Sequence, residues 1–173
     1  YIVGFVAPFL EKKLPEGLNL IVGALAIAPL ARIIAIAVDP VVNSTLLNIG
    51  RMISAAAEQS PLIMGFLLGG IMKMICTSPL SSMALTAMLG LDGLAMGIAA
   101  IACVGGSFTN GIIFDRLKLG ERSNVIAVML EPLTQADIIT QNPIPIYGSN
   151  FFGGGLAGLA AAMLGIINNA PGT

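Results

Sequence analysis

The stretch "LAMGIAAIACVGGSFTNGIIF", Leu94 to Phe114, decides the fold. It contains no charged side chain, and a helix needs roughly 20 mostly apolar residues to cross about 30 Å of hydrocarbon. Its second half nevertheless carries glycines, hydroxyls and an amide, in "GGSFTN" from Gly105 to Asn110. The stretch therefore predicts a membrane-spanning helix with polar groups at membrane depth.

The composition of the whole chain agrees with a membrane protein. The 173 residues are 56% hydrophobic and only 10% charged, with a mean hydropathy of +0.93, whereas about a quarter of the residues in a soluble domain are charged. Small residues abound and Trp is absent, which favours helices packed closely in lipid. We predict an all-α, polytopic transmembrane protein with about five membrane-embedded segments and re-entrant or broken helices. The alternative is a soluble α-helical protein with a large core.

Charge and residue types exclude several functions. The net charge is −1 and no basic tract occurs, so nucleic acid is not a predicted partner. Histidine is absent, which removes the commonest metal ligand and general base. Cys76 and Cys103 lie in apolar segments without CxxC spacing, and we expect buried, inert thiols. No catalytic residue, metal or cofactor is predicted.

Upstream of this stretch, Leu18 to Val38 is a candidate span that Asp39-Pro40 would end. Arg32 interrupts it, and should face a bundle interior or reach toward one end. "EKKLPEG", Glu11 to Gly17, reads as a polar turn, and residues 1–10 as the tail of an earlier span. Because the chain opens at Tyr1 and not at Met, we expect a fragment of a longer protein.

The next segments are shorter and more polar. Asn43 to Ser60 is amphipathic, and its pattern fits an interfacial helix, a cavity lining or a short connecting helix. Pro61 to Cys76 is apolar apart from Lys73 and barely long enough to span. Thr77 or Ser78 is the predicted N-cap, with Pro79 at the first turn, of a short helix that ends at Gly90. Two short apolar helices with a break between them indicate a discontinuous pair.

Downstream, Asp115 to Asn124 is a charged loop whose basic residues favour the cytoplasmic side. Val125 to Leu130 is too short to span. "LEPLTQADIITQNPIPI", Leu130 to Ile146, carries three prolines that prevent an unbroken helix. Ile144 to Ala170 has no charge and shows small-xxx-small spacings typical of close helix contact, at Gly154/Gly158, Ala157/Ala161 and Ala161/Gly165.

The candidate binding residues are hydroxyls, amides and a carboxylate near these interruptions. Such groups suit a polyol such as a sugar, because its hydroxyls both donate and accept hydrogen bonds. A purely structural role, in helix caps or exposed loops, remains the alternative for each. The predicted substrate-binding residues are Glu131, Gln135, Asn142, Asn110, Thr77 and Ser78.

Three stretches carry a family resemblance. "SPLSSMALTAMLGLDGLAMGIAAIACVGGSFTNGIIF", Ser78 to Phe114, resembles a segment of the EIIC-like membrane proteins of the bacterial phosphotransferase system, in the branch that includes the perfringolysin regulatory protein. Asp137 to Pro143 is similar to that family's P(N/D)I-x-x-NP element. "LAAAMLGIINNAPGT", Leu159 to Thr173, resembles the start of the segment that leads to its GMGTSG pattern.

This resemblance implies a single membrane domain over residues 1–173, part of a longer EIIC-like body in the bacterial inner (plasma) membrane and passing it several times. It implies a sugar permease subunit that works by alternating access, contacts membrane lipid, forms a homodimer and receives EIIA and EIIB phosphocarrier proteins as separate chains. Glu131 would match the glutamate that sugar-transporting members place near the substrate, but the histidine that accompanies it is missing. A membrane sensor or regulator with the same fold therefore stays open. So does a secondary transporter of another small polar or anionic solute, with Arg32 or Lys73 as counter-charge.

Overall fold

The described part of the chain is almost entirely helical. The structure, a computed structural model, describes residues 18–78 and 80–170, and within these ranges no strand occurs. The all-α prediction is confirmed. In chain order the elements are α1 (Leu18–Gln59), α2 (Pro61–Thr77), α3 (Ser82–Leu89), α4 (Gly93–Arg116), α5 (Arg122–Leu130), a 3-10 helix (Pro132–Gln135), α6 (Ala136–Gln141) and α7 (Pro143–Met163).

Two of the described helices are long and apolar enough to cross a membrane. They are Ala31–Gln59, within α1, and Gly93–Arg116, which is α4. The second contains the predicted span Leu94 to Phe114 and extends it by only a few residues, since Arg116 and the charged loop follow directly. Helix α2 is apolar but shorter, as its sequence predicts.

Helix α1 corrects the expected end of the first span. It does not stop at Asp39-Pro40 but continues through Pro40 to Gln59, so the amphipathic stretch from Asn43 is its second half and not a separate helix. Local hydrogen bonds accompany the proline: the Asn43 amide donates to Asp39 at 2.9 Å, and the Thr45 hydroxyl donates to the Val41 carbonyl at 2.8 Å.

The chain divides into two compact units, Tyr1–Thr45 and Leu46–Thr173. The predictions for residues 1–10, for the turn Glu11 to Gly17 and for Pro79 lie outside the described residues.

Close backbone contact between α2 and α7 forms the centre of the second unit. A methyl group added to Gly69 of α2 would lie 2.6 Å from the carbonyl oxygen of Gly154 and 2.9 Å from the Cα of Gly158. Only glycine permits this approach. The prediction that Gly154 and Gly158 form a contact face is confirmed, whereas Gly165 lies beyond α7 with a φ of 62°. Helix α4 packs across both, and its Met96, Ile98 and Ala99 are fully buried.

The break after α2 exists, but its capping residues differ from the prediction. Ser81 is the N-cap of α3 and accepts a hydrogen bond from the Ala84 amide at 3.2 Å. Ser78 is the C-cap of α2, and the buried Thr77 hydroxyl donates to the Lys73 carbonyl at 3.0 Å, so neither is free to cap α3. The predicted end at Gly90, which has a left-handed φ of 61°, is confirmed.

The polar stretch from Leu130 to Ile146 is broken into short pieces, as its prolines predict. The 3-10 helix begins at Pro132 and α7 begins at Pro143, with the two-turn α6 between them. By contrast, "GGSFTN" is not a break, because α4 runs through it without interruption. Its glycines serve packing: Gly106 leaves room for the side chain of Lys73. Asn110 therefore lies inside a continuous helix.

Candidate functional site

A buried lysine lies where α2, α4 and α7 meet. Lys73 of α2 is only 1% exposed and is among the largest fully buried side chains of the described residues. Its stem lies against Gly106 of α4 and Gly154 of α7, where an added methyl group would collide with it. Its ammonium donates hydrogen bonds to the Cys103 carbonyl at 3.2 Å and to the Ser107 hydroxyl at 3.3 Å. The helices thus form a slot shaped for this side chain.

The slot opens into a cavity of about 210 Å³. Helices α2, α3 and α4 contribute most of its wall, and the segment from Leu130 to Pro132 closes the remaining part. One cationic and one anionic side chain, Lys73 and Glu131, are both part of this wall. The lining residues are Lys73, Cys76, Ser82, Cys103, Val104, Ser107, Leu130, Glu131 and Pro132.

Glu131 has a capping role as well as its place in the cavity wall. One carboxylate oxygen, Oε1, accepts a hydrogen bond from the Leu133 amide at 3.4 Å at the start of the 3-10 helix. The Thr134 hydroxyl donates to the Glu131 carbonyl at 2.7 Å. The side chain is exposed, and since only one oxygen serves the cap, the other can accept hydrogen bonds from a ligand. The sequence left open whether Glu131 caps a helix or lines a binding site; the cap is present, and its part in binding stays a prediction.

Two predicted residues belong to a buried amide cluster outside the cavity lining. Thr77, Asn110 and Asn150 come from α2, α4 and α7, and both asparagines are 0% exposed. The Asn150 amide donates to Asn110 Oδ1 at 2.7 Å and to the Thr77 hydroxyl at 3.2 Å. The Asn110 amide donates to the same hydroxyl at 3.3 Å. Oδ1 of Asn150 has no hydrogen-bond partner among the described residues, so the cluster retains one free acceptor.

The other three predicted residues make local contacts. Ser78 Oγ donates to the Ile75 carbonyl at 2.8 Å. Gln135, 9% exposed, accepts from the Asn124 amide at 2.6 Å, which ties α5 to the 3-10 helix. The Asn142 amide donates to the Ile138 carbonyl at 3.1 Å. None of the three lines the cavity, and their part in binding stays a prediction.

The cysteines correct a further expectation. Cys76 and Cys103 are not separate thiols but form a disulfide between α2 and α4. Their Cα atoms are 6.2 Å apart, within the range of about 4.4–6.8 Å that a disulfide needs. The sequence could not indicate this pair, because the residues are 27 positions apart and meet only through helix packing.

Sequence reasoning missed Ser107 and Asn150 and gave Lys73 only the role of a counter-charge. Asn150, like Asn110, is a lone amide in an apolar helix. The small residues that follow Asn150 indicated a packing role for this helix instead of a binding role. A lysine inside the apolar segment from Pro61 was the stronger signal, because an ionisable group in such a segment is a functional candidate.

A second cavity, of about 360 Å³, contains none of the predicted residues. It lies between the end of α4 and α5, with Phe108, Gly111, Ile112, Asp115, Arg116 and Met129 as its lining. Within the described ranges no three Cys, Asp or Glu side chains lie together as metal ligands would.

A family model described as "Phosphotransferase system, EIIC" matches residues 1–173. No curated protein and no solved structure matches the chain. The match covers the whole chain, and so includes both the cavity and the amide cluster.

Proposed function

Since the chain belongs to the EIIC family of the phosphotransferase system, we propose that it is part of the permease subunit of a sugar phosphotransferase system. EIIC proteins are integral membrane components of the bacterial system and work with EIIA and EIIB phosphocarriers. The family match over the full length of the chain is the observation that carries this function. The finer features, several membrane passages, re-entrant breaks and a homodimer, are part of the proposal.

We place the sugar in the cavity between Lys73 and Glu131. The free carboxylate oxygen of Glu131 accepts hydrogen bonds from sugar hydroxyls, and the Lys73 ammonium donates to them. Ser107 lines the same wall; its own hydrogen is donated to the Cys103 carbonyl, so toward a sugar its hydroxyl oxygen serves as an acceptor. The volume of about 210 Å³ is below the ~300–1,000 Å³ of pockets that bury drug-sized ligands, and a single sugar ring therefore fits better than an oligosaccharide.

Transport would follow from alternating access to this cavity. Helix breaks near a polar site provide backbone groups and flexible joints that let one side open while the other closes. Residues 78–81 and 131–142 are the breaks that flank the cavity here. The phosphoryl group would come from a separate EIIB chain, because no residue of the cavity is suited to carry it.

Uptake tests this function. The full-length protein in vesicles, with its EIIA and EIIB partners, should take up a labelled sugar only when phosphoenolpyruvate is supplied. Glu131→Gln removes the charge at nearly constant shape, and we expect uptake to fall by about 10-fold or more. Asp137→Asn is the matched control, since it makes the same change in the same segment, outside the cavity.

A sensor or regulator is the second candidate, and the absence of histidine from the sequence favours it. Such a protein would bind sugar in the same cavity without transferring it. Binding to the purified protein without phosphoenolpyruvate-dependent uptake would select the sensor. Uptake that is equal in wild type and Glu131→Gln would show that the sugar binds elsewhere.

A further inference from the structure

We infer that the ligand of the Lys73 cavity carries an anionic group, a carboxylate or a phosphate, in addition to its hydroxyls. This inference rests on the proposed sugar-binding function and narrows its substrate class. Four observations on Lys73 carry it: its burial, its incomplete set of partners, the slot built around its stem, and its place in the cavity wall.

The first observation is a buried cation that has no counter-charge among the described residues. Removing a charge from water is expensive unless the charge is paired, and Lys73 is 1% exposed. No Asp or Glu of residues 18–78 and 80–170 places a carboxylate oxygen within 4.0 Å of Nζ. Glu131 lines the same cavity but does not form this ion pair.

The hydrogen bonds that Lys73 makes are also incomplete. An ammonium has three N–H groups, and two of them bind the Cys103 carbonyl and the Ser107 hydroxyl. Ser107 in turn donates to the Cys103 carbonyl at 2.9 Å, so its oxygen turns lone pairs toward Nζ. Both partners are neutral dipoles. One N–H and the full positive charge remain for a ligand.

The slot is shaped for the lysine side chain. Because Gly106 and Gly154 have no side chains, the stem of Lys73 can pass between α4 and α7, and this packing fixes the position of Nζ. A lysine with a merely structural role would extend its charge toward water. Here the ammonium is instead held in the wall of a cavity that Glu131 also lines. A ligand that satisfies Lys73 has an anionic group near Nζ and can direct its hydroxyls to the Glu131 carboxylate.

Equilibrium binding to the purified full-length protein tests this. The probes are pyranoses that differ at carbon 6 only, in the gluco, galacto and manno series: the neutral hexose, the uronate and the 6-phosphate. Inorganic phosphate is a probe without a sugar. We expect a uronate or a 6-phosphate to bind about 10- to 100-fold tighter than the neutral hexose, and the stronger of the two identifies the anionic group.

Three variants assign this preference to Lys73. Lys73→Met should bind neutral and anionic sugars equally, and Lys73→Arg should retain a preference for the anion. Lys118→Met, which removes an exposed lysine from the loop after α4, should behave as wild type. Size-exclusion chromatography and thermal unfolding verify that each variant is folded.

The outcomes separate this inference from the proposed function. Neutral hexose bound as tightly as its anionic forms, with no effect of Lys73→Met, overturns the inference and leaves sugar binding intact. Phosphate bound through Lys73, with no sugar of any series bound, supports the anionic site and overturns the sugar permease. Binding of none of the probes contradicts both.

Discussion

At the scale of single residues, three polar side chains from α2, α4 and α7 form the buried amide cluster of Thr77, Asn110 and Asn150. Asn110 and Thr77 were predicted, and they are neighbours, yet the residue that joins them, Asn150, is 73 positions from Thr77. Lys73 could be recognised as unusual, but its burial against two glycines depends on how three helices pack. Residue type was therefore predictable, while the assembly of the site depended on tertiary contacts that no local pattern encodes.

The amide cluster leads to a stability prediction. Asn150→Ala leaves Asn110 Oδ1 without its buried donor and removes one of the two amide donors to the Thr77 hydroxyl. Unpaired buried polar groups cost about 1–3 kcal/mol, so we expect the free energy of unfolding to fall by about that amount. Denaturant titration of the full-length protein in mild detergent measures it. Asn48→Ala changes an exposed asparagine in α1, and a loss of equal size there would argue against the cluster.

At the scale of elements, hydrophobicity and proline positions predicted most helices and their interruptions. α2, α4 and the break-up of the Leu130 to Ile146 segment follow the sequence. Pro40 misled the prediction because a proline inside a long apolar helix kinks or strains it without always ending it. The N-cap of α3 was misplaced because Ser and Thr occur at four of the six positions 77–82, and the sequence alone does not distinguish a buried hydroxyl from one that is free to cap.

The contact between α2 and α7 gives a prediction within one helix. Gly158→Ala should lower the free energy of unfolding by about 1–3 kcal/mol, because the new methyl group meets the Gly65 carbonyl and the Gly69 Cα and neither backbone can yield easily. Gly148→Ala, also in α7, meets nothing within 4 Å and should be neutral or slightly stabilising. The same titration compares the two variants, and equal effects would contradict the close contact.

The link between α2 and α4 can be tested chemically. Proteolysis of the purified protein without reductant, after alkylation of free thiols, should yield a cross-linked peptide containing Cys76 and Cys103. After reduction, mass spectrometry should find both cysteines separately. Alkylated Cys76 and Cys103 in the unreduced sample would mean that the thiols are free.

At the scale of the whole molecule, composition predicted a membrane protein, and the family match places the chain in an integral membrane component. Two described helices have the length and hydropathy of spans. The number of passages depends on where the shorter helices lie relative to lipid, and hydropathy does not determine this for α2 or for the segments around Glu131.

The charged loop between α4 and α5 predicts the orientation of the chain. Arg116, Lys118 and Arg122 lie within a few residues of the end of α4, and basic residues close to a span favour the cytoplasmic side. In Ser123→Cys, an exposed position, a membrane-impermeant maleimide should react in inside-out vesicles and not in intact cells. The opposite pattern would reverse the orientation, and the wild type serves as the unlabelled control.

The disulfide has a mechanical consequence for the cavity. The bond between Cys76 and Cys103 joins α2 and α4, the helices that carry Lys73 and Ser107, beside the cavity. These two helices therefore cannot move apart there while the bond is intact. The remaining part of the cavity wall, Leu130 to Pro132, connects the nine-residue α5 to a short 3-10 helix. The disulfide does not hold this segment. If the cavity changes width as a solute passes, we expect the segment that carries Glu131 to move, and not α2 or α4.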